Sequence, residues 1–341
     1  MKAMVYHGPG DVRYEEFPTP EPGPGEVLVR IGSALTCGTD IKTYRRGHPA
    51  MIPKVPTVFG HEWAGTVAAT GPGVLTVRVG DRVVGANSVP CNRCVFCQHN
   101  RQNLCEDLLF LNGAYAEYIL VPARIVQQNL LQVPETLDLR TAALVEPLAC
   151  ALHAVERAQF TEGETVCILG SGPMGLLLAL LVKGRGAKTV VIGKGKQRLA
   201  GAKAVGADLV LDAETDDLAA GIRCANPHGR GADLVIEATG VPAVWEQALW
   251  LVRKGGQVVF FGGCEVGTSI RIDTRRMHYD EISLLGVFHH TPQLIRAALK
   301  TLASASLDVA PLITHEVELS SLLEAFEMMR AKEALKVAVV A

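Results

Sequence analysis

Short apolar segments separated by turn residues fill the first part of the chain. Examples are residues 26–31, 65–69 and 81–84, and glycine and proline are concentrated between them at 18–25 and 71–73. Few windows show the apolar spacing of an amphipathic helix, and runs of this kind bounded by turn residues are typical of strands. The pattern predicts a β-rich first domain with long loops.

From about Glu146 the apolar segments alternate with helical stretches. Strands buried on both faces and joined by helices are typical of a doubly wound parallel sheet. After the sixth strand come helical windows at 293–303 and 319–329 and an apolar strand at 335–340, and we expect this tail to return to the first domain. The six predicted strands are 165–169, 189–192, 208–211, 233–236, 257–261 and 282–287.

Length and charge narrow the classes of function. The 341 residues, 48% hydrophobic and 20% charged, are enough for two sizeable cores. A formal net charge of −2 without a long basic run does not favour nucleic-acid or acidic-membrane partners. Glycine and proline interrupt residues 1–9 before a signal-peptide core, and the longest apolar run, 176–182, is too short to span a bilayer. We expect a cytoplasmic protein that acts on a small molecule.

A glycine-rich hexapeptide, Gly170-Ser171-Gly172-Pro173-Met174-Gly175, follows the first predicted strand of the sheet and precedes an apolar helix. In this context glycines allow a tight turn and close approach of a pyrophosphate to the free N–H groups of the helix start. Proline suits the first helical turn because its missing N–H costs nothing there. In isolation the hexapeptide also fits a plain glycine-rich turn, but the surrounding strands and helices favour dinucleotide binding.

The end of the next predicted strand bears on the choice of coenzyme. An acidic residue there would bind the adenine ribose hydroxyls, but this chain has Gly193, 23 residues after Gly170. Lys194, Lys196 and Arg198 follow, so a 2′-phosphate would meet cations and no carboxylate. This pattern favours NADP over NAD, unless the lysines are merely exposed and the protein accepts both.

Four cysteines are crowded into one polar loop, at Cys91, Cys94, Cys97 and Cys105. Four thiolates close in sequence can enclose one tetrahedral ion and leave no open position, which predicts a structural zinc. Exposed free thiols at this density would oxidise, and the spacing does not continue into that of a ferredoxin cluster.

A second group of metal-binding residue types is dispersed over Cys37, His61, Glu62 and Glu146. A single cysteine is more often a buried apolar side chain, and spacing alone does not join the four residues.

Taken together, the motifs resemble those of the zinc-dependent medium-chain alcohol dehydrogenases, and the resemblance covers essentially the whole chain. It rests on the order of the motifs Cys37-Gly38-Thr39-Asp40, Gly60-His61-Glu62-Trp63-Ala64-Gly65, Gly71-Pro72-Gly73-Val74, the four-cysteine loop, Glu146-Pro147-Leu148 and the glycine-rich hexapeptide. The polyol (sorbitol) dehydrogenase branch is most similar, through Glu146-Pro147-Leu148-Ala149, His153-Ala154, Leu285-Gly286-Val287-Phe288 and Pro311-Leu312-Ile313-Thr314-His315.

The resemblance implies a catalytic zinc held by Cys37 and His61, with Glu62 and Glu146 as direct or water-linked carboxylate partners. Zinc then polarises the alcohol oxygen, hydride passes to the nicotinamide, and the hydroxyl of Thr39 begins the proton relay. Relatives continue the relay to a histidine a few residues on; this chain has Lys42 there, so the lysine or a solvent chain would take that place.

The resemblance also implies the architecture. A GroES-like β-rich catalytic domain would comprise residues 1–147 and 288–341, a Rossmann coenzyme domain would comprise 148–287, and the active site would lie in the cleft between them. Two zinc ions per chain, NADP or NAD, and a homodimer or homotetramer through the edge strand 282–287 complete this expectation.

Positions 289 and 290 bear on the identity of the substrate. Sorbitol dehydrogenases carry an Arg-Tyr pair where this chain has His289-His290, and without the guanidinium the pocket should bind polyols less well. The two histidines are candidate substrate contacts, or they simply end a strand. We expect interconversion of a secondary alcohol or polyol with its ketone. Alternatives are an amino-alcohol dehydrogenase of the L-threonine type, a zinc-free quinone or enoyl reductase, and a non-catalytic nucleotide-binding protein.

Overall fold

The computed structural model describes residues 1–49 and 51–341 and divides the chain into two compact units. The first unit contains Met1–Ala149, His290–Ser306 and Ile313–Ala341, and the second contains Cys150–His289 and Leu307–Leu312. The main divisions fall two residues after the expected 147/148 and 287/288 boundaries, and the segment 307–312 lies with the second unit.

The strands are numbered in chain order. They are β1 (Lys2–Gly8), β2 (Asp11–Glu16), β3 (Val27–Leu35), β4 (Thr57–Val58), β5 (Glu62–Thr70), β6 (Arg82–Gly85), β7 (Ser88–Val89), β8 (Leu109–Phe110), β9 (Tyr118–Val121), β10 (Leu130–Gln132), β11 (Thr165–Leu169), β12 (Lys188–Gly193), β13 (Leu209–Asp212), β14 (Ala232–Glu237), β15 (Val252–Phe260), β16 (Ser283–Gly286), β17 (Ile313–Glu318) and β18 (Lys336–Val340).

Helices connect most of these strands. They are α1 (Gly38–Arg46), α2 (Val95–Gln98), α3 (Ala123–Asn129), α4 (Leu139–Ala142), α5 (Val145–Arg157), α6 (Pro173–Gly184), α7 (Lys196–Ala204), α8 (Leu218–Ala225), α9 (Pro242–Leu251), α10 (Thr274–Tyr279), α11 (Pro292–Ala303) and α12 (Leu322–Arg330), with 3-10 turns at Gln102–Leu104, Ala310–Leu312 and Leu319–Ser321. No helix among the described residues has the length and apolar character to cross a bilayer.

The first unit is built around a sheet in the order β10-β6-β5-β3-β18-β17, with β9 also paired to β3. Leu35 at the end of β3 lies opposite Glu62 of β5 and opposite Ala338 of β18. The register therefore brings three distant segments, those around residues 36, 62 and 337, to one place on the sheet.

The core of the first unit is rich in aromatic side chains. Phe59, Trp63 and Tyr115 are fully or almost fully buried, and Phe326 of α12 packs against the rings of Phe59 and Tyr115. Ring pairs of this kind contribute attraction beyond the area that they bury. The tail of the chain thus supplies part of the core of the first unit.

The second unit confirms the predicted doubly wound sheet. Its six strands lie in the order β13-β12-β11-β14-β15-β16, and every pair is parallel. All five side chains of β11 are buried, as expected for a strand with helices on both faces. β15 begins at Val252, earlier than the predicted residue 257. The prediction began the strand too late because Gly255 and Gly256, which lie within β15, are residues typical of a turn.

The helix α1 is not among the predicted elements, and its composition explains the difference. The buried side chains of α1 are Asp40 and Thr43, and both are polar. The apolar side chains of α1 that pack against the core are Ile41 and Tyr44, which are only partly buried, and two such positions are too few for hydrophobic periodicity to reveal the helix.

Candidate functional site

Cys37, His61 and Glu62 lie together in the first unit. Cys37 follows β3 and caps the start of α1, while His61 and Glu62 lie at the start of β5. One ligand atom from each of the three residues lies within 4.8 Å of those of the other two. The neighbouring strands β3 and β5 therefore unite residues that are 24 positions apart in sequence.

The carboxylate of Asp40 orients this group. Its Oδ1 lies 2.9 Å from Nδ1 of His61, and its Oδ2 accepts from the backbone N–H of Cys37 at 3.0 Å and from the Tyr115 hydroxyl at 2.6 Å. A carboxylate on Nδ1 fixes the proton there and leaves Nε2 for a ligand, as in many metal-binding histidines.

The ring of His61 is buried, and its charge balance depends on its neighbours. Burial by itself lowers the pKa of His61, but the Asp40 carboxylate and the Cys37 sulfur raise this pKa well above its usual value. Asp40 and Cys37 thus stabilise positive charge on the ring of His61. A cation bound to Nε2 would be stabilised by the same two groups.

Glu62 is fully buried and forms an ion pair with Lys336, which is also buried. Burial raises the pKa of Glu62 to about 7, and the ammonium of Lys336 opposes this rise. Burial would lower the pKa of Lys336, but Glu62 beside it raises this pKa overall. Nζ of Lys336 also donates to the Thr36 carbonyl at 3.1 Å, so the lysine is held at the end of β3.

The second oxygen of Glu62 provides a test of whether a metal fits. Oε1 is buried and has no hydrogen-bond partner among the described residues. An unmatched buried carboxylate oxygen is costly. Together with the thiol of Cys37 and Nε2 of His61, it makes a donor set of the kind that binds zinc. The residues present therefore fit a zinc ion.

Glu146, on α5, is buried and lies close enough to Glu62 for its charge to contribute to the raised Glu62 pKa. Its Oε1 is 3.9 Å from Nε2 of His290. That histidine nitrogen is 2.9 Å from Oδ1 of Asn87. Asn87, Glu146 and His290 are thus a second buried polar group of the first unit.

The two residues considered for proton transfer lie on α1. Thr39 is half-buried in the first turn, and its backbone N–H donates to the sulfur of Cys37 at 3.4 Å. Lys42 is exposed one turn further along the helix.

The loop from Cys91 to Cys105 brings its four sulfur atoms within 4.8 Å of one another. The sulfur of Cys94 lies 3.5 Å from that of Cys97 and 3.9 Å from that of Cys105. Sulfurs bound to one tetrahedral zinc at ~2.3 Å lie about 3.8 Å apart, whereas a disulfide needs ~2.05 Å. The spacing thus fits a common ion.

Backbone N–H groups support negative charge on these sulfurs. The N–H groups of Arg93 and Cys94 lower the pKa of Cys91 to about 6, and the N–H of Cys91 donates to Cys105 at 3.2 Å. Burial instead raises the pKa of Cys97 to about 12. A cation among the sulfurs would favour the thiolate at both positions.

In the second unit the glycine-rich hexapeptide joins β11 to α6 as predicted. A Cβ on Gly175 would lie 1.7 Å from the Gly170 carbonyl oxygen, so only glycine allows the helix to approach the strand. Around Gly172 no atom lies within 4 Å of an added Cβ, which leaves open space at the start of α6. Pro173 is the first residue of that helix, and Met174 is half-buried beside it. This open, N–H-rich end fits a pyrophosphate.

Gly193 ends β12 and is buried, and Lys194 and Arg198 follow it. Nζ of Lys194 lies 3.5 Å from a Glu214 oxygen, and both side chains are more than half exposed. Burial lowers the pKa of Arg198, which is half-buried at the start of α7.

The two candidate substrate contacts have different surroundings. His289 has a left-handed backbone with φ of 61°, its carbonyl lies 2.8 Å from Nδ1 of His153, and its ring stacks on the exposed Phe288. His290 is buried next to Asn87. A non-glycine residue held at positive φ is uncommon and is often found at functional sites.

The sequence motifs leave several residues of the site without an assigned role. Asp40 lies within the Cys37-Gly38-Thr39-Asp40 motif, but its spacing does not indicate a contact with His61, and Asn87, Tyr115 and Lys336 lie in no motif. A signal exists for Lys336, because a lysine heading the apolar strand Lys-Val-Ala-Val-Val needs a buried partner.

Comparison with known proteins identifies the family of the chain. The family model described as "Alcohol dehydrogenase GroES-like domain" matches residues 23–135, and the one described as "Zinc-binding dehydrogenase" matches residues 173–304. The chain is 35% identical to a sorbitol dehydrogenase of Macaca fascicularis over 98% of this chain and 94% of that protein. It is 32% identical to a sorbitol dehydrogenase of Bacillus subtilis over 99% of this chain and 97% of that protein.

Solved structures give the same result. A zinc-binding dehydrogenase of Sinorhizobium meliloti bound to NADP superposes with a TM-score of 0.91 at 30% identity, over 100% of this chain and 99% of that one. For 2R,3R-butanediol dehydrogenase of Bacillus subtilis the TM-score is 0.88 at 28% identity, with the same coverage. With both domains matched and relatives similar over nearly the full length, the chain belongs to the zinc-binding alcohol dehydrogenase family.

Proposed function

We propose that this protein is a zinc-dependent dehydrogenase that interconverts a secondary alcohol or polyol with its ketone, using NADP or NAD. The observation that carries the proposal is the convergence of Cys37, His61 and Glu62, together with a buried Glu62 oxygen that has no hydrogen-bond partner among the described residues. Membership of an alcohol dehydrogenase family and full-length similarity to sorbitol dehydrogenases support it.

In this proposal Cys37, His61 and Glu62 hold the catalytic ion, with Glu146 as a nearby carboxylate. A zinc ion bound there supplies a Lewis acid for the alcohol oxygen, and the nicotinamide accepts the hydride. Asp40 keeps the His61 proton on Nδ1, so that Nε2 faces the ion. The Thr39 hydroxyl takes the alcohol proton, and Lys42 or water passes it to solvent.

The four cysteines 91, 94, 97 and 105 hold a second zinc ion with a structural role. Four protein ligands complete a tetrahedral shell and leave no position for a substrate. We therefore assign the reaction to the Cys37 site alone.

For the coenzyme we propose NADP in preference to NAD. Lys194 and Arg198 follow Gly193, which offers no carboxylate to a 2′-phosphate. The Sinorhizobium relative was solved with NADP, which supports the same choice. The pyrophosphate of the coenzyme would bind at the glycine-rich turn, against Gly170, Gly172, Pro173, Met174 and Gly175.

For the substrate we propose that His289 and His290 replace the contacts made by the Arg-Tyr pair of sorbitol dehydrogenases. Imidazole nitrogens donate one hydrogen bond where a guanidinium donates several, so the preferred substrate has fewer hydroxyl groups than sorbitol.

We propose, in addition, that copies of the chain assemble through β16. This strand forms one edge of the six-stranded sheet, and Trp250, Ile272 and Tyr279 of the same unit are exposed. An unpaired edge beside exposed apolar side chains is suited to pairing with a second copy.

The main test is the rate of reduced-nicotinamide formation over polyols, amino alcohols and short secondary alcohols, each with NADP and with NAD. We expect turnover that a zinc chelator stops, and a preference for secondary alcohols or short polyols with NADP. Turnover that is insensitive to chelation, or a preference for amino alcohols, would contradict the proposal.

The Cys37→Ser variant tests the catalytic site directly. We expect it to abolish turnover while coenzyme binding, followed by nicotinamide fluorescence, stays within about twofold of the parent, because the two sites lie on different units. Cys224→Ser, at an exposed thiol, is the matched control and should keep full activity. An active Cys37→Ser protein would refute the assignment.

Asp40→Asn tests the orientation of His61. The amide has the same shape but loses the charge that holds the Nδ1 proton, so zinc affinity or turnover should fall roughly 10–100-fold. Zinc content after dialysis and kcat measure the two effects. Asp11→Asn, at an exposed carboxylate paired with Arg13, serves as the control. Unchanged zinc content and kcat would show that Asp40 has no positioning role.

Cys94→Ser tests the structural lobe, the loop from Cys91 to Cys105. Removing one thiolate opens the shell, and a loss of several kcal/mol should lower Tm by roughly 5–15 °C. Differential scanning calorimetry with zinc analysis checks this, again with Cys224→Ser for comparison. An unchanged Tm with full zinc content would contradict a closed four-thiolate site.

Light scattering tests the assembly. We expect a dimer or tetramer for the parent and a smaller species for Leu285→Lys, since a charge on an edge strand opposes pairing. Leu75→Lys, at a leucine that is 96% exposed on the first unit, should not change the mass. A parent protein that is monomeric in solution would contradict the proposed assembly through β16.

A further inference from the structure

The side chain of Ser171 occupies the space into which a side chain at position 193 would extend. A Cβ built on Gly193 would lie 1.8 Å from Oγ and 2.3 Å from Cβ of Ser171, and 3.2 Å from its backbone nitrogen. Cβ atoms are not found closer than 3.0 Å to such neighbours. Position 193 is therefore closed to every residue except glycine while Ser171 keeps its place.

Rotation of the Ser171 side chain does not remove the conflict. A change of χ1 moves Oγ, but Cβ stays where the backbone puts it, 2.3 Å from the added atom. Ser171 is 3% exposed, and its Oγ has no hydrogen-bond partner among the described residues. The Ser171 side chain thus acts at this position through its bulk.

The backbone on both sides is tied to the sheet. The N–H of Gly170 donates to the Ile192 carbonyl at 2.8 Å, and the Gly193 carbonyl accepts from the N–H of Ala213 at 2.8 Å. Shifting either segment by the roughly 1 Å needed to clear the overlap would break bonds of this set. Not every glycine near the turn is closed in this way, since no atom of the described residues lies within 4 Å of a Cβ added at Gly172.

Position 193 is also the end of the second strand of a nucleotide-binding sheet. In this fold an acidic side chain at that place binds the ribose hydroxyls of NAD and repels a 2′-phosphate. Here the packing excludes such a side chain, and cationic Lys194 and Arg198 follow.

We propose that Ser171, by its packing against Gly193, restricts position 193 to glycine and so excludes from the coenzyme site the carboxylate that would select NAD over a 2′-phosphorylated dinucleotide. The inference rests on the proposed dinucleotide binding by the second unit. It gives a packing reason for the absence of a carboxylate at position 193, and it makes residues 171 and 193 a coupled pair.

The test is a double-mutant cycle of Ser171→Gly and Gly193→Asp in the full-length protein. The dissociation constants of NADPH and NADH are measured by nicotinamide fluorescence, and Tm is measured without ligand. We expect Gly193→Asp alone to lower Tm and to weaken both nucleotides. Ser171→Gly alone should keep the preference for NADPH within about threefold.

The double variant should recover most of the lost Tm. Its preference should shift toward NADH by roughly tenfold or more, because the carboxylate then reaches its position and repels the phosphate. The Gly193→Ala variant separates the effect of side-chain bulk from that of charge. Adding Ser171→Gly to Gly193→Ala should also restore Tm, but it should not shift the preference toward NADH.

Two results would overturn the inference. If Gly193→Asp alone is as stable as the parent and already prefers NADH, Ser171 does not close the position. If Ser171→Gly restores the Tm of neither Gly193→Asp nor Gly193→Ala, the crowding has another source. A parent that binds neither nucleotide would instead refute the proposed dehydrogenase function, a failure recognised before any variant is made.

Discussion

The carboxylate of Asp40 accepts hydrogen bonds from three segments of the first unit that are far apart in sequence. It holds the backbone N–H of Cys37, the ring of His61 and the hydroxyl of Tyr115, and all of these contacts are buried or half-buried. Burying a carboxylate is costly unless its oxygens are matched, so the hydrogen bonds to Asp40 leave the fold around it little freedom to vary. The start of α1, the start of β5 and the aromatic core are thereby fixed relative to one another, and this arrangement positions the Cys37 sulfur and the His61 imidazole of the proposed metal site.

The ion pair of Glu62 and Lys336 has a different character. Both side chains are removed from water, and the desolvation of such a pair commonly costs as much as the attraction returns. We therefore explain the ion pair by its effect on Glu62, which it holds in place, and not by a contribution to stability. One oxygen of Glu62 is held by the ammonium, and the other has no hydrogen-bond partner among the described residues.

Much of the architecture follows from the sequence because it depends on local patterns. The six parallel strands, the glycine-rich turn and the four-cysteine loop are each encoded within short windows, and the structure confirms the predicted sheet. The grouping of Cys37 with His61 depends on family resemblance, since nothing local joins them. The contacts of Asp40 and Lys336 are hidden from local patterns because their partners lie 21 and 274 residues away, and only the pairing of β3, β5 and β18 brings them together. The relation of Ser171 to Gly193 likewise depends on how closely two adjacent parallel strands place their ends.

The position of β18 has a consequence for biosynthesis. This strand lies between β3 and β17 in the sheet of the first unit, and it carries the lysine that neutralises Glu62. During translation β3 and β5 leave the ribosome long before β18, and all of residues 150–289 are made in the interval. Until β18 is made, the sheet of the first unit lacks the strand between β3 and β17 and Glu62 lacks its lysine, while the strands of the second unit are already available to fold. Completion of the proposed metal site is therefore a late event: a nascent chain arrested before residue 336 would contain all six strands of the second unit's sheet but would lack the lysine that pairs with Glu62.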